Sequence, residues 1–391
     1  MLSKRILELA VHKGMSSVLC EICSKKATTK CETCRVTYYC TPDHKLLDAV
    51  SFHRKVCEKL AVIRSERPLP FTETDRINEA EAMLQSKKEI LKLAEIVTKK
   101  WLLERSIINA YPSAMIAWNM ARDLRSEDSF EVIYPTCLVS ETFLLLGKPS
   151  AAQQYMVQAS WLSQKYDVLP ATILAQLYRL RGIVLMAFEN WKHAREAFSE
   201  LVYVVALEYG VDDIRLGIPY GFLGLSLLKF DNIDGAMASF HKMADKWLHF
   251  MLTQYENKTM RRATETEMAE DEAKQDLEFQ YMEAIIVFQR VYDVVRRLGI
   301  SSVTDLINFK ILCFQVLAEM RDNNSKEVVV YREEALATAT RTKQSKCVPR
   351  KRIPLLIEVL QDDFLLRWER KHNRPRTIAT KYLEMIKAIN V

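Results

Sequence analysis

Residues spaced 42 apart repeat their chemical character four times over. Ala110, Ala152, Ala194 and Ala236 form one series, and Ala114, Met156, Phe198 and Phe240 follow one helical turn later. A small residue recurs at Thr98, Ser140, Gly182 and Gly224, with a large apolar one three positions on at Trp101, Phe143, Leu185 and Leu227. Four series in one register constrain the chain to an array of like supersecondary units over at least residues 80–255. The clearest copy, Leu177 to Phe198, reads as two amphipathic helices joined at Glu189-Asn190-Trp191. Its small residues let two helix backbones approach while an aromatic fills the space beside them.

Composition agrees with a mostly α chain. There are only 9 Gly and 11 Pro against 49% hydrophobic residues, which disfavours sandwiches, barrels and nucleotide-binding α/β folds. The length, 391 residues, leaves room for two or three domains. No apolar run of about 18 residues is present, so no membrane span is expected. The apolar run of the N-terminal MLSKRILELAVHKGM is too short for a secretory signal. A net charge of +6 is mild and does not argue for nucleic acid.

Cysteine usage is uneven. Six of the nine cysteines lie between Cys20 and Cys57, while Cys137, Cys313 and Cys347 are scattered. Clustered cysteines without a signal segment predict a reducing compartment and a metal site. Candidate ligands fall in four pairs: Cys20/Cys23, Cys31/Cys34, Cys40/His44 and His53/Cys57. Each spacing lets both side chains reach one tetrahedral ion, and eight ligands make two closed structural zinc sites. Some forty residues cannot build much core, so metal binding supplies the missing folding free energy.

This pattern, with Tyr39 before Cys40, resembles the MYND zinc finger. The resemblance implies interleaved ligation: Cys20, Cys23, Cys40 and His44 on one zinc, and Cys31, Cys34, His53 and Cys57 on the other. His44 stands where a cysteine is usual. Ala49 stands where most MYND domains carry a tryptophan that helps form a groove for proline-containing peptides, which weakens a peptide-docking role. The repeats resemble tetratricopeptide (TPR) units, usually about 34 residues long. Eight further residues amount to roughly one turn on each helix. The expected architecture is thus a mostly α chain, an N-terminal two-zinc MYND finger followed by a long-helix TPR α-solenoid. The finger is placed at residues 1–62, a linker at 63–78, four repeats at 79–255, a charged insertion at 256–276 and a C-terminal helical cap at 277–391.

Trp101, Trp161, Trp191 and Trp247 are expected to fill core, and His193, His241 and His249 to lack metal partners. Glu95, Leu138 and Leu180 occupy the positions at which chaperone-binding TPR proteins clamp a carboxylate tail, and their charge is wrong for it. No glycine-rich phosphate loop, GxSxG elbow or HExxH is present. The SET strands and Asn-His-Ser motif of MYND-containing lysine methyltransferases are also missing, so no enzymatic activity is expected. The finger directly before long TPR repeats, with VTYYC, YG-x-DDIR and KWLHF, is similar to the zinc finger MYND domain-containing protein 12 family. That resemblance implies a scaffold of motile cilia and flagella in the cytoplasm and cytoskeleton. It would bind a second TPR protein and an inner-arm dynein on axonemal doublet microtubules, with no nucleic acid or membrane partner. The basic runs of the C-terminal stretch from Lys343 read first as a solvated helix face and linker, and alternatively as a contact for the acidic tubulin surface or another acidic partner. The alternatives are a cytoplasmic adaptor for dynein-arm preassembly and a peptide-binding co-regulator.

Overall fold

The computed structural model describes residues 18–343 apart from 24, 66–70, 126–127, 257–263, 300–301 and 323–324. It divides into two compact units, residues 1–197 with 265–279 and residues 198–264 with 280–391.

The first unit begins with a small metal-finger layer. Strands β1 (Thr29–Lys30) and β2 (Tyr38–Tyr39) pair antiparallel, and an isolated bridge joins Leu19 to Lys26. Helix α1 (Pro42–Asp48) starts at Thr41, whose side chain accepts from the His44 amide, with proline in its first turn. A π-helical stretch, Ala49–His53, leads into α2 (Arg54–Arg64).

Helical hairpins follow. In this unit α3 (Glu73–Leu103) pairs with α4 (Ile107–Arg125), and α5 (Ile133–Leu145) with α6 (Pro149–Ser163). After them come α7 (Ala171–Ala187) and α8 (Trp191–Tyr209), the latter ending in the second unit. The second unit pairs α9 (Gly217–Leu227) with α10 (Ile233–Glu256). The second helices thus start at Ile107, Pro149, Trp191 and Ile233, at steps of 42 residues.

One backbone feature sets that step. Arg105, Gly147, Glu189 and Asp231, again 42 apart, all take positive φ, between 53° and 72°. At the first three turns the next amide bonds back five residues, Ser106 to Trp101, Lys148 to Phe143 and Asn190 to Leu185, at 2.9–3.0 Å. This is the Schellman closure of a helix end. The large apolar series of the sequence therefore supplies the carbonyl that closes each of these turns.

The small series marks helix contact. Ser140 Oγ donates to the Ala152 carbonyl at 2.6 Å. Thr98 Oγ1 lies 2.9 Å from Ser113 Oγ, which donates to the Ala110 carbonyl. At Gly224 a Cβ would stand 2.5 Å from Phe240 Cε1, so only glycine admits that ring. Ala110, Ala152, Ala194 and Ala236 are all fully buried. Across the first helices of this unit, Arg179 of α7 holds Glu141 of α5 through two 2.9 Å hydrogen bonds, with Lys99 of α3 4.0 Å away. Burial alone would push the Glu141 carboxyl up, but the two cations outweigh it and hold it at about 2.

The remaining helices are α11 (Glu265–Glu270), α12 (Glu272–Arg297), α13 (Ser302–Arg321) and α14 (Ser325–Lys343). In the second unit α13 packs on α14 and α10, Phe288 stacks on Phe314, and Val328 and Ala335 are fully buried.

Two expectations change, and one left open is resolved. Helix α3 starts at Glu73, inside the stretch read as linker, because Thr72 caps it by accepting from the Asp75 amide. The charged 256–276 segment, which the sequence leaves open between an exposed helix and a loop, is helical at Glu265–Glu270, where Met268 is buried. Trp247 is buried and Trp101 and Trp191 are partly buried, but Trp161 is 57% exposed, with Lys165 Nζ 3.8 Å from its ring centre. Trp161 lies on the outer side of α6, away from the Ala152–Met156–Ala159 contact, so it is not core. The C-terminal stretch with its basic runs lies outside the described residues.

Candidate metal centre

The structure brings the eight candidate ligands into two groups. Cys20, Cys23, Cys40 and His44 form one, and Cys31, Cys34, His53 and Cys57 the other, with all ligand atoms of each group within 4.8 Å of one another. In the first, Cys23 and Cys40 sulfurs are 3.4 Å apart, and His44 Nδ1 lies 3.5 Å from Cys20 and 3.3 Å from Cys40. In the second, Cys31 and Cys57 sulfurs are 3.9 Å apart, and His53 Nε2 lies 3.3 Å from Cys31 and 3.6 Å from Cys34. A tetrahedral zinc with Zn–S about 2.3 Å and Zn–N about 2.0 Å requires S···S edges of about 3.8 Å and S···N edges of about 3.5 Å. Both donor sets fit, one imidazole through Nδ1 and the other through Nε2.

Their electrostatics also calls for a cation. Burial, with Cys34 and Cys31 alongside, pushes the Cys57 thiol up to about 12. Three thiols this close ionise together only against a positive ion. Burial, aided by Arg64, brings His53 down to about 4, which keeps its imidazole neutral and able to ligate.

Side chains behind the ligands fix them. Asp48 is fully buried, its Oδ2 3.8 Å from His53 Nδ1, and accepts from the Tyr39 hydroxyl at 2.7 Å. Burial pushes the Asp48 carboxyl up to about 7 against that hydrogen bond. At 3.8 Å this oxygen is beyond hydrogen-bond reach, so Asp48 stands behind the ligating imidazole as a nearby charge and not as a bonded partner. Arg64, the last residue of α2, forks onto Glu21 at 2.9 and 3.2 Å and reaches Thr37 at 3.3 Å. It ties the end of α2 to the knuckle that carries Cys20 and Cys23. Sequence spacing marks the ligands but neither Asp48 nor the Glu21–Arg64 pair, since each serves through contacts distant in the chain.

The MYND finger family matches residues 20–57. Residues 20–57 are a MYND zinc finger. Its two Cys3His clusters have the composition and spacing of structural zinc sites. Ala49 is half-buried in the π-helical stretch, with Leu46 and Val50 exposed nearby.

The finger does not stand alone. His53 and Cys57, one turn apart, turn to the metal cluster. Phe52 and Val56, each one residue before a ligand, and Leu60, three after Cys57, lie on a neighbouring face of the same helical run. These three enter one core with Ile90, Ala94, Val97, Ile116, Ala117 and Met120 of α3 and α4. The Trp101 indole N–H donates to the Ser51 carbonyl at 3.1 Å, and the Ser51 hydroxyl donates to the Asn109 carbonyl.

Proposed function

We propose that this chain is a non-enzymatic scaffold of motile cilia, a MYND–TPR adaptor that joins a partner TPR protein and an inner-arm dynein on the doublet microtubule. MYND domains are protein–protein interaction modules, which supports the coarse role. The observation that carries the reading is a closed two-cluster finger built into the first of a run of helical hairpins. Each cluster has four protein ligands and so keeps no position for a reactive water, which suits a structural rather than a catalytic metal. Trp161, with Val157 54% exposed one turn before it, supplies an aromatic anchor of the kind that dominates protein interfaces. The hairpin step of 42 residues, a TPR-like unit with longer helices, supports partner binding along an array. The finer identity rests on the likeness to the zinc finger MYND domain-containing protein 12 family.

Fractionation of motile cells tests this. Recovery in a high-salt extract of detergent-washed axonemes, together with inner-arm dynein, is the expected outcome, since salt weakens such polar contacts. A chain found almost wholly in the cytoplasm would replace this reading with the dynein-arm preassembly adaptor.

A further inference from the structure

The first half of α3 carries an apolar stripe that the described residues leave unburied. Helix α3 has 31 residues and its partner α4 has 19. Burial begins at Ile90, and no residue from Glu73 to Glu89 is buried. The stripe nevertheless runs on. Ile77, Ala80 and Leu84 stand at helical spacing from Leu91 and Ala94, which belong to the core shared with the finger. Ile77 is 52% and Leu84 44% exposed. Between residues 73 and 86, Glu73, Asp75, Glu79 and Glu81 stand against the single cation Arg76. A second copy laid on this stripe would set carboxylates against carboxylates, so the charge calls for a basic amphipathic segment.

Residues 1–17, outside the described residues, have that character. Lys4, Arg5 and Lys13 stand against Glu8, and Leu2, Ile6 and Leu9 recur at helical spacing. The chain enters the finger at the right place. The Val18 carbonyl accepts from Ala27, and Glu21 three residues on is held by Arg64 of α2. Helix α2 in turn lies against α3, through Leu60 in the shared core and Lys59 bonded to Glu89. Lengths agree as well: residues 73–86 make about 21 Å of helix, and seventeen residues about 25 Å.

We propose that residues 1–17 of this chain bind along residues 73–86 of α3 as an amphipathic segment. Leu2, Ile6 and Leu9 cover Ile77 and Leu84, and the basic side chains meet the α3 carboxylates. The α3 stripe then continues the core of the first hairpin under a cover supplied in cis.

Hydrogen exchange on the full-length, zinc-loaded chain tests this. The double variant Lys4→Glu/Arg5→Glu is expected to speed exchange at residues 73–86 about ten-fold while leaving 107–125 unchanged. Adding Glu73→Lys and Glu81→Lys to it should restore the protection. Equal exchange in the parent and the double variant would overturn the proposal. Protection that rises with protein concentration would assign the stripe to a second copy instead. Protection lost in a chain ending at Lys343 would assign it to the basic C-terminal segment; either result also overturns it.

Discussion

Removing zinc should unfold more than the finger. Phe52, Val56 and Leu60, all at most 1% exposed, are the finger's share of a core that includes six buried residues of α3 and α4. Full burial of such side chains stabilises by about 1.5–3 kcal/mol each, so the three together contribute about 5–9 kcal/mol as an upper bound. Two hydrogen bonds through Ser51 add about 1 kcal/mol apiece. Domain stabilities are about 5–15 kcal/mol. A finger that loses its metals and its fold therefore removes a large part of what holds the first hairpin. Stepwise chelation, with released zinc titrated against a chromogenic indicator and hydrogen exchange followed in parallel, gives the assay. Amides from Ile90 to Leu103 and from Ile107 to Met120 should lose protection as zinc leaves, while those of α13 and α14 hold. Full release of both zinc ions with α4 still protected would refute the shared-core account.

Three smaller predictions go with it. Gly224→Ala places a methyl 2.5 Å from the ring of fully buried Phe240. Overpacking of about 1–3 kcal/mol should exceed the helix-propensity gain of about 1 kcal/mol, and a denaturation midpoint at or above the parent's would contradict this. Glu189→Gly relieves a left-handed residue at φ 57°, and a gain of up to about 1 kcal/mol should appear as a higher denaturant midpoint; a lower one would count against it. Burial pushes the Glu95 carboxyl up to about 8, with Lys92 opposing. From the ordinary carboxylate range up to pH 8 the unfolded chain has released a proton that the native chain keeps, so this group lowers stability as pH rises through that window. Glu95→Gln should therefore stabilise more at pH 8 than at pH 5, and equal effects at the two pH values would show the carboxyl to be unperturbed.

Much of the hairpin pattern was legible because close packing has to repeat. Where two helices touch at Ser140 and Ala152 or at Gly224 and Phe240, only small or well-fitted residues serve, and they recur at one step. The place of a turn, as at Glu189-Asn190-Trp191, was legible at that same step, but its left-handed backbone was not. Of the four positive-φ residues only Gly147 advertises its conformation, since Arg105, Glu189 and Asp231 are L-residues; at Arg105 and Glu189 the Schellman bonds hold the strained backbone. The start of α3 was only partly legible: Thr72 is a cap residue and Ile77, Ala80 and Leu84 keep helical spacing, but acidic and polar residues surround that stripe and nothing buries it from Glu73 to Glu89. Trp161 misled because an aromatic at hairpin spacing looks the same whether it turns inward or outward.

The metal centre was legible in its ligands because their spacing is local, and opaque in its supports because those are not. Glu21 and Arg64 lie 43 residues apart, and Ser51 and Asn109 lie 58 apart. What joins the two levels is one stretch of helix. His53 and Cys57 belong to the second ligand cluster, and Phe52, Val56 and Leu60 between and beside them belong to the hairpin core. A rotation of the helical run from Ala49 to Arg64 that opened the second cluster would drag three buried side chains out of the hairpin core. A shift of α4 would pull on the ligands in the same way. Finger and hairpin are therefore bound to gain or lose order together, and a partner that grips the first hairpin also tightens the site that holds zinc.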